Sequence, residues 1–323
     1  MTNSVQLRHP VTAVRVVAVR TGHHLEIPDH VATEEPMEIR AAGPGQRPAP
    51  VAVTMRTPGH DFDLAVGFLF TEGVINRSAD VAAVKYCDLP DDVEQRFNTV
   101  TVELTRPLPP ERVARNFAVN ASCGVCGKTS IDEVTVACPP LPPVSAPSAP
   151  SAPSAPTAPS AASAPTAPSA PGATDQAGNT AVPASLIHGL PDRLRAQQKL
   201  FDRTGGLHAA AIFNRADLAD PQKPPTAVRE DVGRHNAVDK LAGHALLTHQ
   251  LPLTGHVLVV SGRVSFEIVQ KAAIAGLAVI VAVSAPSSLA VEAAHRLGVT
   301  IAGFVRGGRF NIYSHPERID LTR

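Results

Sequence analysis

The sequence has no excess of charge of either sign and no long apolar run. Its 323 residues include 29 basic and 29 acidic side chains, so no net charge draws it to nucleic acid or to an anionic membrane. The longest late apolar run, residues 277–283, is far shorter than the roughly 20 residues that a membrane-spanning helix requires. We therefore expect no nucleic acid and no membrane among its partners.

We also expect neither a secretion signal nor a disulfide framework. The first apolar stretch, residues 11–19, is interrupted by Arg15 and closed by Arg20, which spoils it as the core of a signal peptide. Four cysteines in a chain of this length do not form the disulfide scaffold of a small secreted protein. We therefore expect a cytoplasmic protein whose cysteines remain thiols.

Composition divides the chain into three regions. Residues 141–183 consist mostly of Ser-Ala-Pro and Thr-Ala-Pro repeats, which predict an extended, solvated linker or insertion. Residues 1–140 predict a small amino-terminal α+β domain that ends in a cysteine-containing loop. In residues 184–323, a helix at 191–201 and alternating strand and helix patterns predict a larger αβα layered domain with a mostly parallel sheet. The expected fold class is α/β.

The densest chemical signal is a pair of cysteines, Cys123 and Cys126. Two thiols at this spacing can form a disulfide, share a metal or pass a sulfane sulfur between them. Gly124 and Gly127 permit tight turns, and exposed amides together with Lys128 favour the thiolate over the thiol. A thiolate is the nucleophile that sulfur transfer requires, so both cysteines are candidate catalytic residues.

Two other kinds of site use the same spacing. A structural zinc site needs four ligands, yet Cys87 and Cys138 do not form a second pair. A thioredoxin-like redox motif opens a helix after a strand, whereas this pair comes shortly before the proline-rich segment. Both alternatives stay open, and we expect no bound metal.

A second signal lies at the carboxyl end of a predicted parallel strand, where open α/β sheets bind ligands. Arginines can hold a phosphate with two parallel hydrogen bonds, and glycines let backbone amides approach it. A solvated turn between two strands explains the segment equally well. The candidate cofactor-binding residues are Phe304, Val305, Arg306, Gly307, Gly308 and Arg309.

Three more loops combine glycine with polar residues: 204–208, 229–236 and 261–263. All three are predicted beside strand ends, so together they can rim one pocket. Each by itself is better explained as ordinary helix capping and turn chemistry.

Long sequence blocks carry a resemblance to one family. The chain resembles the formate dehydrogenase accessory sulfurtransferases called FdhD in the blocks EEPMEIR, TMRTPGHDFDLAVGFLFTEG, CGVCGK, TGGLHAAA, REDVGRHNAVDK, SGRVSFEIVQKAAIAG and GFVRGGRFNIYSHPER. These blocks cover nearly all of the chain except its start and the proline-rich segment.

The resemblance implies a sulfur carrier. Such a protein accepts persulfide sulfur from a cysteine desulfurase on the first cysteine, here Cys123. It passes the sulfur to the molybdenum bis(molybdopterin guanine dinucleotide) cofactor as a bound client, and formate dehydrogenase depends on that step. The resemblance also implies a cytoplasmic homodimer, a cofactor-binding stretch at residues 304–309, and a carboxyl-terminal domain similar to the cytidine deaminase fold.

Deaminase chemistry itself is not expected. A zinc deaminase needs His-x-Glu followed by Pro-Cys-x-x-Cys. His315 and Glu317 have the first spacing, but no cysteine follows them. One feature departs from the family: the Ser-Ala-Pro insertion begins soon after Lys128, close to the thiol loop.

Overall fold

The computed structural model describes residues 9–87, 97–109, 117–118, 140–143 and 181–322. Cys123, Cys126 and most of the proline-rich segment lie outside these ranges. Within them, the chain forms both strands and helices, which confirms the expected mixed α/β class. None of the described helices is both long and apolar enough to cross a membrane.

The amino-terminal part consists of a hairpin and a five-stranded sheet. Strands β1 (Val11–Arg20) and β2 (His23–Ala32) pair with each other in antiparallel fashion. The sheet has the order β5-β6-β3-β4-β7. Its strands are β3 (Glu35–Ala42), β4 (Ala49–Arg56), β5 (Val81–Tyr86), β6 (Thr99–Leu104) and β7 (Phe117–Ala118). Helix α1 (Asp61–Thr71) follows β4, as its apolar spacing predicts.

Short elements begin the carboxyl-terminal part. They are β8 (Val182–Pro183), α2 (Ala184–Ile187), α3 (Leu190–Arg195) and α4 (Lys199–Thr204). The prediction of one helix over residues 191–201 was wrong, since the chain leaves the helix before Gln198 and starts a new one. The Glu230 carboxylate accepts hydrogen bonds from the amides of Leu200 and Phe201 at 2.9 and 2.8 Å. These bonds satisfy the free amino-terminal amides of α4, which a continuous helix would not expose.

A six-stranded sheet forms the centre of this part, in the order β10-β9-β11-β12-β13-β14. Its strands are β9 (His208–Asn214), β10 (Ala227–Asp231), β11 (His256–Val260), β12 (Val279–Ala282), β13 (Thr300–Arg306) and β14 (Arg309–Ser314). β11, β12 and β13 are parallel, as predicted, while the other three strands run antiparallel to their neighbours. β15 (Ile319–Asp320) pairs with β8.

Helices cover both faces of the large sheet. α5 (Arg234–Leu247), α6 (Phe266–Ile274) and α7 (Ser288–Leu297) pack on one face, and α2 and α3 contribute to the core on the other. Successive strand residues therefore enter different cores. Ala210 belongs to the first core and Ala211 to the second. Burial on both faces explains why the central strands are apolar throughout.

Helices α1 and α5 join the two sheets through direct backbone contact. A Cβ atom built on Gly67 would lie 1.8 Å from the carbonyl oxygen of Asp239, and one on Gly243 would lie 1.9 Å from that of Asp63. Only glycine fits at either position. The apolar core consequently runs without a break from the five-stranded sheet into the helices of the large sheet.

We predict that Gly67→Ala destabilises the protein despite the better helix propensity of alanine. The added methyl group must push α1 away from α5, and overpacking of this kind costs about 1–3 kcal/mol or more, against a propensity gain of about 1 kcal/mol. Chemical denaturation of both proteins measures the net loss. Gly189→Ala is the control, because nothing lies within 4 Å of its Cβ position. Equal stability of wild type and Gly67→Ala would contradict the contact.

Candidate functional site

A cavity of about 550 Å³ opens at the carboxyl ends of the parallel strands. Ser261 follows β11, Val283 follows β12, and Arg306 ends β13, and all three line the cavity. This is the edge where an α/β sheet places its ligands. The volume lies within the range of small-molecule sites, so this cavity is the candidate site.

The predicted binding loop is split between the cavity and its surroundings. Val305, Arg306 and Gly307 line the cavity, whereas Phe304, Gly308 and Arg309 are not part of its lining. Gly307 and Gly308 both have positive φ angles, 56° and 74°, in the turn between β13 and β14. Glycine adopts this left-handed conformation without strain.

Phe304 adopts the same left-handed region, with φ of 55°. This conformation costs a residue with a Cβ about 1–2 kcal/mol. The Phe304 amide donates a hydrogen bond to the carbonyl oxygen of Ser284 at 3.2 Å, and the residue as a whole is 36% exposed. Strained, partly exposed aromatic residues of this kind cluster at binding sites.

The loop carries two positive charges that the rest of the described chain does not neutralise. Arg306 and Arg309 are exposed, and although their backbones pair at the end of the hairpin, neither guanidinium forms a hydrogen bond or ion pair with another residue in the described ranges. Arg229, by contrast, is held by the carboxylate of Asp63 at 2.8 Å. The free guanidinium of Arg306 therefore makes the cavity attractive to anions.

The opposite wall comes from α3 and α4, and sequence reasoning missed it. Asp192, Gln198 and Phe201 lie in this wall. Gln198 is only 3% exposed, yet no residue of the described chain bonds to its side-chain amide. A buried amide without a protein partner is available to a ligand. The break between α3 and α4 depends on the Glu230 carboxylate. Its partners Leu200 and Phe201 lie 30 and 29 residues away in the sequence, so no local pattern revealed this wall.

Two of the three polar loops predicted near the pocket do line it. Gly205, Gly206, Leu207 and His208 belong to one, and Ser261 to another. The Ser261 hydroxyl accepts a hydrogen bond from the Ala209 amide at 2.9 Å, which joins β11 to the start of β9.

The third loop, residues 229–236, serves another purpose. Asp231 is fully buried and pairs with Lys240 at 2.7 Å, and Lys240 donates to the carbonyl oxygen of Thr57 at 2.9 Å. Asn236 donates to the carbonyl oxygen of Met55 at 2.8 Å. This loop is therefore not in the cavity lining; it fastens the large sheet to the residues at the end of β4.

The thiol pair falls outside the described residues, so the structure does not test Cys123 or Cys126. Cys87 is described and half-buried. Within the described ranges, no group of three or more His, Cys, Asp or Glu side chains could hold a metal ion.

His208 is the titratable group in the cavity wall whose pKa is displaced. Burial lowers the pKa of His208, and the positive charges of Arg234 and Arg263 lower it further, while Asp231 opposes them. The imidazole is consequently neutral at neutral pH and can accept or donate a hydrogen bond.

We predict that His208 titrates below its usual value of 6.5 and that Arg263→Ala raises its midpoint. Removal of one neighbouring positive charge makes the imidazolium less costly. Two-dimensional NMR of the histidine ring across a pH series measures both midpoints. Arg309→Ala, which removes an exposed charge outside the cavity lining, should leave the midpoint where it is. An unchanged midpoint in Arg263→Ala would show that Arg263 does not contribute to the shift, and would leave burial and Arg234 as its causes.

Known proteins resemble this chain over nearly its whole length. The model of the FdhD/NarQ family matches residues 32–154 and 157–320. A protein of Streptomyces coelicolor named "Sulfur carrier protein FdhD" is 43% identical over 313 residues, covering 95% of each chain. One of Mycobacterium tuberculosis with the same name is 42% identical over 298 residues, covering 90% of this chain and 92% of that one.

A solved structure supports the fold. The crystal structure of a protein from Desulfotalea psychrophila, described as a formate dehydrogenase accessory protein, superposes with a TM-score of 0.63. The match covers 96% of this chain and 99% of that one at 21% identity. At this identity the likeness concerns the fold alone. The resemblance to the cytidine deaminase fold stays a prediction.

Proposed function

Because the chain belongs to the FdhD/NarQ family, we propose that it is a sulfur carrier that serves formate dehydrogenase. The family match extends through both the thiol pair and the cavity. Curated relatives at 43% and 42% identity bear the name of sulfur carrier. A cytoplasmic homodimer that receives sulfur from a cysteine desulfurase is part of the same proposal.

The observation that carries the client part of the proposal is the unneutralised Arg306 beside Gly307 in the cavity. A phosphate group of a nucleotide can accept two hydrogen bonds from the guanidinium and one from an amide of the turn. On the opposite wall, the Gln198 amide and the Asp192 carboxylate can bond to the edge of a base. The cavity of about 550 Å³ suits one nucleotide arm of the molybdenum bis(molybdopterin guanine dinucleotide) client.

The thiol of Cys123 carries the sulfur in this proposal. Its thiolate attacks the outer sulfur of the donor's persulfide, a new S–S bond forms, and the donor cysteine leaves as a thiolate. Cys126 then attacks the Sγ atom of Cys123. The bond to the outer sulfur breaks, a Cys123–Cys126 disulfide forms, and the sulfur leaves as sulfide with two electrons for the client.

We predict that wild type gains the mass of one sulfur atom after incubation with a cysteine desulfurase and cysteine, and that Cys123→Ala does not. Intact mass spectrometry measures the increment, and a reductant should remove it. Cys87→Ala is the matched control, because Cys87 lies outside the proposed pair and should not affect loading. Stoichiometric zinc bound through Cys123, or an increment that survives in Cys123→Ala, would overturn the sulfur-carrier mechanism.

We also predict that Arg306→Ala weakens the binding of a guanine nucleotide by about 10- to 100-fold, the equivalent of one charge-assisted hydrogen bond. Arg309→Ala should have a much smaller effect, because Arg309 does not line the cavity. Isothermal calorimetry with GDP measures both. Equal losses in the two variants would mean that only the local positive charge matters, and no loss in Arg306→Ala would place the nucleotide elsewhere.

A further inference from the structure

The cavity that attracts anions also has a carboxylate in its wall. Asp192 is the only acidic side chain among the described residues that line the cavity. It is exposed, and its carboxylate forms no hydrogen bond or ion pair with another described residue. An unpaired carboxylate repels the phosphate groups that Arg306 attracts. Asp192 therefore weakens the binding of a nucleotide unless its carboxylate makes a contact of its own with the ligand.

The neighbouring arginine does not neutralise this carboxylate. Asp192 and Arg195 are one helical turn apart on α3, yet no ion pair joins them. The Arg195 guanidinium instead pairs with the Asp202 carboxylate at 2.6 Å and lies 4.8 Å from the centroid of the Phe201 ring. Asp202 is not among the residues that line the cavity. The charge of Arg195 is thus balanced from outside the cavity, and the charge of Asp192 remains available to a ligand.

The same wall contains a second hydrogen-bonding group. Gln198 is only 3% exposed, and its side-chain amide has no partner among the described residues. An amide both donates and accepts hydrogen bonds, whereas an ionised carboxylate only accepts them. The wall therefore offers a flat ring one group that demands donors, at Asp192, and one that can supply a donor, at Gln198.

Guanine is the common nucleobase whose edge matches these two groups. Its N1–H and N2 amino groups are adjacent donors, which one carboxylate can accept together, and its O6 oxygen is an acceptor. Adenine and cytosine present an acceptor nitrogen beside their amino group, and uracil has a carbonyl oxygen on each side of its N–H group. A carboxylate that faces any of these three edges meets another acceptor.

We propose that Asp192 selects guanine over other bases by accepting hydrogen bonds from its N1–H and N2 amino groups, while Gln198 donates to its O6 oxygen. The proposal rests on the nucleotide-binding part of the function proposed above. It makes Asp192 the residue that determines base specificity. Gln198 contributes affinity for every base that carries the O6 oxygen.

Two roles of the Asp192 carboxylate predict opposite results when its charge is removed. If the carboxylate acts only by repulsion, a neutral side chain lets every nucleoside diphosphate bind more tightly. If it recognises the base, guanine nucleotides lose a charge-assisted hydrogen bond, which is worth about 10- to 100-fold in affinity. The sign of the change in affinity for GDP therefore separates recognition from repulsion.

Asp192→Asn tests the assignment through a change of preference. The carboxamide keeps the shape of the carboxylate but donates from its nitrogen. Xanthine keeps N1–H and O6 of guanine and has an oxygen in place of the N2 amino group, so it matches the carboxamide. We expect Asp192→Asn to bind GDP about 10- to 100-fold more weakly than wild type does, and to bind xanthosine diphosphate more tightly than wild type does. Isothermal calorimetry on the full-length proteins measures both affinities.

Asp202→Asn is the matched control, because it removes a carboxylate of α4 that does not line the cavity. Its ratio of GDP to xanthosine diphosphate affinity should equal that of wild type. Gln198→Leu should weaken both ligands by the same factor, since both carry O6. Wild type should also bind ADP at least about 10-fold more weakly than GDP.

The outcomes distinguish this assignment from the proposed function. If wild type bound no GDP, the nucleotide part of the proposed function would fail and the assignment with it. If wild type bound GDP but Asp192→Asn kept the wild-type ratio of the two affinities, the assignment alone would be overturned. Sulfur loading of Cys123 is measured separately and does not depend on either result.

Discussion

The backbone contact between α1 and α5 is the constraint on which the rest of the structure depends. Because Gly67 and Gly243 let the two helices touch, polar groups from both halves reach one another in the interior. Lys271 of α6 donates to the Thr71 hydroxyl of α1 at 3.0 Å and to the Asp239 carboxylate of α5 at 2.8 Å. Buried charges are tolerated only with such partners. The amino-terminal sheet is therefore needed to position α6 on the large sheet.

The chemistry of the molecule is concentrated at one edge of the large sheet. The parallel strands end there with Ser261, Val283 and Arg306, and helices α5 and α6 begin there. Strand ends release the chain from the hydrogen-bonding ladder, and helix starts leave amides without partners. At this edge the side chains of Arg306 and Gln198 have no partner among the described residues, whereas the buried Asp231 and Lys240 bond to each other.

Local patterns predicted much of the fold but not the walls of the site. The strands and crossover helices from β11 to β13 follow the apolar periodicity, since burial on one or two faces leaves a direct mark on sequence. The prediction of one helix over residues 191–201 was wrong. Glu230 lies on a strand of the large sheet, and its carboxylate accepts a hydrogen bond that stabilises a break in the helix. The loop at 229–236 has ordinary turn composition. Its sequence does not show whether its polar residues line a cavity or bond to the amino-terminal sheet.

The sequence by itself determined the thiol pair, the alternation of strands and helices, the arginine-glycine turn and the family. Each of these depends on the identity or the spacing of residues that are close together in the chain. Tertiary structure alone decided that Asp192 and Gln198 line the same cavity as Arg306. It also decided that burial and two arginines lower the pKa of His208. The physical reason is that burial and electrostatic fields depend on which distant segments are packed together, and a residue's neighbours in sequence do not specify these.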